Sequence, residues 1–262
     1  MAKLEDIVGL CKRRGFIFQG SEVYGGMAGT WDFGPLGVAL KRKIMQAWWQ
    51  YWVDDREDIL GVDAAIVMNP KTWVASGHAA TFADPLVECN DCHGRFRADK
   101  LAKTAEGHDL SASISRDDLM QAKVKCPNCH KVNWGEVKQF NMMFETHVGA
   151  LIDDTSKAYL RPETAQGIFT NYKNVVDNLY PDLPFGLAQQ GKSFRNEISP
   201  RDFIFRCREL EQMEIEYFVH PDNWQQKFDE LLKDVHVFLE QVMKLPGSLI
   251  HEYEVPPEDR AH

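Results

Sequence analysis

Two C-x-x-C pairs constrain this chain more than any other feature: Cys89 and Cys92, then residues 93–125, then Cys126 and Cys129. Each pair sets two sulfurs on one side of a tight knuckle, and two knuckles complete a tetrahedron about 2.3 Å from a Zn2+ ion. The intervening segment must therefore return on itself. Four protein ligands leave no position for water, so the site is structural rather than catalytic. His93 and His130 each follow a knuckle and offer substitute ligands, against the plainer reading of solvated side chains. Redox pairs are the other use of this spacing, but nothing around the cysteines resembles the βαβ context of such motifs. Cys11 and Cys207 stand alone.

The 262 residues suit one large domain, or one domain carrying an insertion. The polar, cysteine-bearing stretch 86–135 is the insertion, and it divides a first part (1–85) from a second (136–262). The sequence has no run of about 18 apolar residues, which excludes a spanning helix and a membrane partner. The N-terminal residues contain no continuous apolar stretch of the secretory kind. With cysteines paired for metal, the expectation is a cytoplasmic protein, because disulfides are rare there. Thirty Lys and Arg against 39 Asp and Glu give a net charge of −9. Any polyanion must meet a local basic patch on an acidic body. Arg95, Arg97, Lys100 and Lys103 offer such a surface, or simply a solvated face.

Periodicity predicts a short helix through Leu4, Ile7, Val8 and Cys11, closed by Gly15. Residues 16–37 are rich in glycine and aromatics, without the strand-to-helix spacing of a dinucleotide loop. Tight turns and a small hairpin are the expectation. Val38–Val53 reads as a helix whose Trp48, Tyr51 and Trp52 make an apolar face too large to leave wet: it either lies on the core or forms an oligomer interface. Ala64–Met68 reads as a short buried strand stopped by Pro70, and Phe140–Glu145 as another strand. A helix is predicted from Arg161 to about Leu179. Two strands, Phe185–Glu197 and Ile204–Val219, form a long antiparallel hairpin, and Trp224–Val242 an amphipathic helix.

Side-chain alternation on that hairpin puts Arg195 and Glu197 on one face. Arg206, Arg208, Leu210, Gln212, Glu214 and Glu216 share a face of the returning strand, and Phe205, Cys207, Met213 and Ile215 are apolar enough to be core. Arginines gather at the turn end and carboxylates further along. Such a surface can hold phosphate by bidentate guanidinium contacts and an ammonium group at its acidic end.

The segment FRNEISPRDFIFRCRELEQMEIEYF (194–218) resembles motif 2 of class II aminoacyl-tRNA synthetases, in the version of the homodimeric glycyl-tRNA synthetases. GSEVYGGMAGTWDFGPLG from Gly20, RPETAQGIF from Arg161 and RFRADKL from Arg95 agree, and residues 38–70 resemble motif 1, which builds the dimer interface in this class. The resemblance implies an α+β fold: an antiparallel sheet flanked by helices, with a zinc-binding insertion. It implies activation of glycine with Mg2+ and ATP to glycyl adenylate, transfer to the 3′ end of tRNA(Gly), and a homodimer.

Carried over residue by residue, the resemblance makes Arg195 the catalytic arginine, on the α-phosphate and the substrate carboxylate, with Asn196 beside it and Glu197 meeting the adenine amino group. Phe205, Arg206, Cys207, Arg208, Glu209 and Leu210 lie along ATP. Glu163 and Glu214 hold the glycine ammonium, with Leu210, Glu211, Gln212 and Met213 around them and Arg97 as a further contact. Leu210 stands where the family usually has Phe. After Glu214 there is no glycine-rich segment ending in Arg, the third class motif, and no anticodon-binding domain follows. The expectation is an N-terminal part of such an enzyme, inactive alone. Two alternatives compete with it: a catalytically silent module that binds tRNA or a partner, and a zinc-ribbon nucleic-acid binder whose hairpin is only scaffold.

Overall fold

The computed structural model describes residues 3–102, 114–153, 155–198, 200 and 202–256. Helix α1 (Leu4–Arg13) begins with Glu5 and Asp6 and ends with Lys12 and Arg13, charges that suit the two ends of the helix dipole. Gly15, at φ 71°, takes the left-handed turn beyond it. The glycine-rich stretch closes the expected small hairpin, β1 (Ile17–Gln19) antiparallel to β2 (Trp31–Phe33).

Helix α2 (Pro35–Trp49) starts three residues before the expected position, because Pro35 fits the first helical turn, and ends in a π-type turn through Asp54. Its aromatic face packs largely within the chain: Trp48 and Trp52 are buried with Ile59, Ala188 and Phe238. Strand β3 (Ile59–Gly61) follows. Next, β4 (Val67–Met68) corrects the expected buried strand over 64–68: two residues pair, and Ile66 and Val67 are exposed. Among the described residues it has one neighbouring strand, and Asn69 caps α3 (Pro70–Ala75) immediately afterwards, accepting from Lys71 N at 2.9 Å.

After α4 (His78–Thr81) come β5 (Ala83–Glu88), β6 (Arg95–Arg97), α5 (Ala98–Ala102), α6 (Arg116–Gln121) and β7 (Lys138–Asn141). Lys103 lies outside the described residues. Ser115 and Asp118 form a reciprocal capping box on α6. This region has a core of its own, in which Val87, Leu119, Val124 and Trp134 surround Cys89 and Cys126. The Trp134 indole donates to Val124 O at 2.8 Å.

The strand expected over 140–145 is two: β7 ends at Asn141 and β8 (Glu145–His147) begins on a different sheet. Met142 and Met143 between them are buried, so apolar character there marks a buried crossover. Then come β9 (Lys157–Leu160), α7 (Ala165–Leu179), β10 (Phe185–Phe194), β11 (Glu209–Phe218) and α8 (Trp224–Val237), the last extended by a π-type turn to Val242.

The sheets are small: β1–β2, β11–β10–β3, β4–β9–β8 and β6–β5–β7. Antiparallel pairing predominates as expected, but β3 runs parallel to β10, which the long connection between them permits. Helix α7 covers one face of the hairpin through Ile168 against Phe185 and Leu187; α2 and α8 cover the other. No helix among the described residues is long and apolar enough to cross a membrane.

Candidate functional site: an arginine cleft beside a carboxylate cluster

The hairpin ladder runs from Phe185↔Phe218 to Phe194↔Glu209; beyond it the described residues 195–198, 200 and 202–208 belong to neither strand, with a 3-10 turn at Phe203–Phe205, instead of forming the expected strand ends. Period-two alternation therefore does not govern Arg195, Glu197, Arg206 or Arg208. Other contacts place them. Arg195 N donates to Arg208 O at 2.9 Å, Asn196 N to Met142 O at 2.7 Å, and Arg208 N to Gly29 O at 2.7 Å. Gly29 needs its glycine: φ is 74°, and a Cβ would lie 2.5 Å from Pro200.

A cleft of about 610 Å³ opens here, lined by Asp84, Arg97, Arg195, Glu197, Phe205 and Arg206 among others. Arg206 Nε donates to Glu197 Oε2 at 2.7 Å, and Nη2 lies 2.7 Å from the same oxygen as an ion pair. Arg208 is turned away, onto Ala28 O at 2.7 Å and Glu197 O at 3.1 Å. Arg97 meets the Asp99 carboxylate at 2.7 Å and lies 2.8 Å from Asp84 Oδ2, close enough for an ion pair though off hydrogen-bond geometry. Burial pushes the Asp84 carboxyl above its ordinary value, and Arg97 opposes the rise. Arg195 differs from these. Its Nε donates to Pro162 O at 3.0 Å and its guanidinium lies 5.8 Å from the centre of the Phe82 ring, while its two terminal nitrogens have no partner among the described residues. A guanidinium held from behind with its fork free is arranged to take an oxyanion.

Next to Pro162 the character reverses. Glu163 Oε1 lies 3.3 Å from His78 Nε2, and the Thr164 hydroxyl donates to Glu214. Gln212 Oε1 accepts from Thr164 N at 3.1 Å and from Ser193 Oγ at 2.6 Å. Half-buried Glu216 completes the group: burial, then the charges of Glu214 and Glu163, raise its carboxyl above the ordinary value. Three carboxylates in partial burial repel one another until a cation joins them. Glu163, Gln212 and Glu214 were expected together; Thr164, Ser193, His78 and Glu216 were not expected as site residues. Even-numbered alternation on β11 was signal enough for Glu216; contacts from distant segments carry no such signal. Beneath lies Arg161, 1% exposed, which donates to Lys192 O and Ala64 O at 2.8 Å each.

The remaining expected residues separate from this cluster. Glu211 and Met213 fall on the opposite face of β11, Glu211 paired with Lys41 Nζ at 2.6 Å and Met213 toward Trp48 and Trp52. Only their backbone can belong to the carboxylate site, since neighbouring strand residues point oppositely. Leu210, Cys207 and Glu209 line an apolar cavity of about 490 Å³ beneath α1 and α2, and Glu209 pairs with Lys192. Burial pushes the Cys207 thiol up. Phe205, expected as core, is 79% exposed, and Arg97 sits in the arginine cleft rather than beside Glu163.

At the knuckles, the four Sγ atoms of Cys89, Cys92, Cys126 and Cys129 all lie within 4.8 Å of one another, with Cys89–Cys129 and Cys92–Cys126 at 3.6 Å. A tetrahedron with 2.3 Å metal–sulfur bonds has edges of about 3.8 Å, so the cluster fits a zinc ion. His93 and His130 N–H groups close the knuckles, donating to Cys89 O and Cys126 O at 2.9 and 2.8 Å. Both residues are exposed, and the His93 ring turns to Glu88, away from the sulfurs.

Residues 144–255 match the tRNA synthetase class II core domain (G, H, P, S and T). Curated relatives named glycine–tRNA ligase include those of Ureaplasma urealyticum, 44% identical over 98% of this chain and 56% of the relative, and Lysinibacillus sphaericus, 49% identical over 88% and 52%. That of Malacoplasma penetrans is 44% identical over 98% of this chain and 57% of its own length. The chain thus spans about half the length of the curated relatives it matches. Among solved structures, one described as the RNA-binding domain of threonyl-tRNA synthetase from Cryptosporidium parvum aligns with a TM-score of 0.53 at 16% identity, over 89% of this chain and 42% of that one. This last likeness speaks for the fold alone.

Proposed function

The chain is a homologue of the glycine–tRNA ligases and carries the class II tRNA synthetase core, and on that premise we propose that its site activates glycine with ATP and serves transfer of the glycyl group to the 3′ end of tRNA(Gly). One observation carries the reading. Consecutive residues join two sites of opposite charge: Pro162 O holds Arg195, and Glu163 stands in the carboxylate cluster. Glycine is a carboxylate and an ammonium group two bonds apart on a single carbon, and this juxtaposition fits it.

In this reading Glu163 and Glu214 take the ammonium, with the Gln212 side chain bracing the wall through Thr164 and Ser193 and the backbone of Leu210–Glu214 closing it. A pocket walled by groups that grip the amine rejects larger amino acids by leaving no room at Cα. The free fork of Arg195 takes the substrate carboxylate and the α-phosphate. The carboxylate oxygen attacks the α-phosphorus and pyrophosphate leaves, so no side-chain nucleophile is needed. Arg195 works by positioning and by stabilising charge on the phosphoryl oxygens. Glu197 receives the adenine amino group, its carboxylate fixed by Arg206, while Asn196 and the 205–210 segment bound the nucleotide. Mg2+ accompanies ATP as counter-ion to its phosphates.

Zinc in the four-thiolate site closes the 86–135 insertion, between catalytic parts 1–85 and 136–262. Homodimerisation through the motif 1 region and a cytoplasmic location complete the proposal. The spacing of the sulfurs supports the zinc site, and the exposed Leu36 and Leu40 of α2 support the dimer.

Glycine-dependent ATP–pyrophosphate exchange tests the function. Arg195→Ala should abolish exchange, and Glu214→Ala should raise the Michaelis constant for glycine far more than that for ATP. Glycine and ATP binding without exchange would fit a chain that is inactive alone, and binding of neither would favour the silent module instead.

A further inference from the structure

Two of the residues just assigned, and Arg97 in the same cleft, are backed by one short run of chain. His78 faces Glu163, with Nε2 3.3 Å from Oε1. The Phe82 ring lies under the Arg195 guanidinium at 5.8 Å. Asp84, 7% exposed, lies 2.8 Å from Arg97. We propose that residues 78–84 are a positioning segment for the synthetase site, in which His78 orients the ammonium-binding Glu163 and Phe82 the phosphate-binding Arg195. The inference rests on the reading of those two residues given above.

The segment is built for this. The fully buried Trp73 ring packs edge-on to the His78 ring at 5.5 Å, and the Phe82 ring packs against its other side at 5.4 Å. His78 Nδ1 lies 2.9 Å from Ser76 Oγ, a shorter contact than the 3.4 Å from that hydroxyl to Trp73 O. Assigning the Ser76 hydroxyl as donor to Nδ1 puts the ring proton on Nε2, facing Glu163. A carboxylate flanked by the imidazole edge at 3.3 Å on one side and by an incoming ammonium on the other keeps a single orientation. Phe82 also joins the ammonium and phosphate ends mechanically, because the same ring touches His78 and supports Arg195. Met142 N donates to Phe82 O at 3.0 Å and Met142 O accepts from Asn196 N at 2.7 Å, which ties the segment to the site loop through the backbone.

The test is equilibrium binding of two probes to the purified protein: ATP, and glycyl-sulfamoyl-adenosine, a non-reactive glycyl-adenylate mimic. The 3.3 Å contact is an ion-pair approach off hydrogen-bond geometry, so His78→Ala should weaken the mimic by about three- to tenfold. Its ATP affinity should change less than about twofold, and His78→Gln, which restores an N–H donor near the same place, should recover most of the loss. Ser76→Ala, an exposed substitution that releases only the tautomer, should give a smaller loss of the same selectivity. Phe82→Leu should weaken both probes. Wild-type binding with the two His78 variants equally impaired for mimic and ATP, or not impaired at all, overturns the positioning role and leaves the synthetase reading intact. A wild-type protein that binds neither probe overturns both.

Discussion

Between β5 and β7, four sulfurs within 4.8 Å of one another crown a small core of Val87, Leu119, Val124 and Trp134. On the β10–β11 hairpin, by contrast, the groups that carry chemistry are held by contacts from five separate stretches of chain: Gly29, Ala64, His78–Asp84, Met142 and Arg161–Thr164. The first region concentrates its organisation in one point, and its ligands are visible as a spacing. The second distributes it, so that no single pair of residues announces the site. A concentrated device fails all at once when its centre is removed, whereas a distributed one degrades by increments.

Removing the centre should have the largest effect. Structural zinc contributes roughly 10–16 kcal/mol of apparent binding free energy in small zinc modules. Cys126→Ser, or a strong chelator, should reduce zinc from one per chain to none and collapse the environment of Trp134, read by its fluorescence. A protein with no zinc and a melting temperature indifferent to chelator would break the comparison at its root.

On the hairpin, Leu187 is 0% exposed between α7 and the sheet, and Leu187→Ala should cost about 2–5 kcal/mol in denaturant unfolding with zinc content unchanged. A third prediction concerns acid. Arg56 first, then the Tyr217 hydroxyl, hold Asp58 down at about 2 against an ordinary 3.8. A depressed carboxyl stabilises the fold above its ordinary value and loses that contribution as pH falls toward 2. Asp58→Asn should therefore lower stability at neutral pH by about 1 kcal/mol, modest because the pair is partly solvated. The difference should shrink to nothing in acid denaturation near pH 2.

The smallest effect has the opposite sign. Glu216 is raised by burial and by its two acidic neighbours, so its ionisation opposes folding, and its best contribution lies below the ordinary carboxyl range and is lost as pH rises through the folded value. Glu216→Gln should stabilise the protein at neutral pH by a few tenths of a kcal/mol, up to about 1, with the gain disappearing in acid. Destabilisation at pH 7 would mean that the carboxylates are already compensated by a cation.

Legibility in the sequence followed the same division. The knuckles, α1, the small hairpin, α7, β10 and β11 could be read from spacing and periodicity, because each depends on residues near in sequence. The failures share a cause. Met142 and Met143 looked like strand because burial on a crossover and burial in a sheet leave the same apolar mark. Phe205 and Arg206 looked like strand because alternation continued in the sequence after the ladder had stopped at Glu209. Glu211 and Met213 fall on the far face of β11, as alternation requires, so they can join Gln212 and Glu214 only through their backbone.

The sequence by itself determined the cysteine tetrad, the elements with strong periodicity, and the segments whose resemblance the relatives bear out at 44–49% identity. It also determined that arginines and carboxylates would sit at different positions along one hairpin, since local order along a strand is a property of the chain alone. Only the tertiary structure decided which of those charges are satisfied and which are free. Arg206 and Arg208 are consumed by Glu197 and by backbone carbonyls, while Arg195 keeps its fork open. The physical reason is that a charge's availability depends on what lies within a few ångströms of it. For Arg195 and Glu163 those neighbours, Phe82 and His78, arrive from about a hundred residues away.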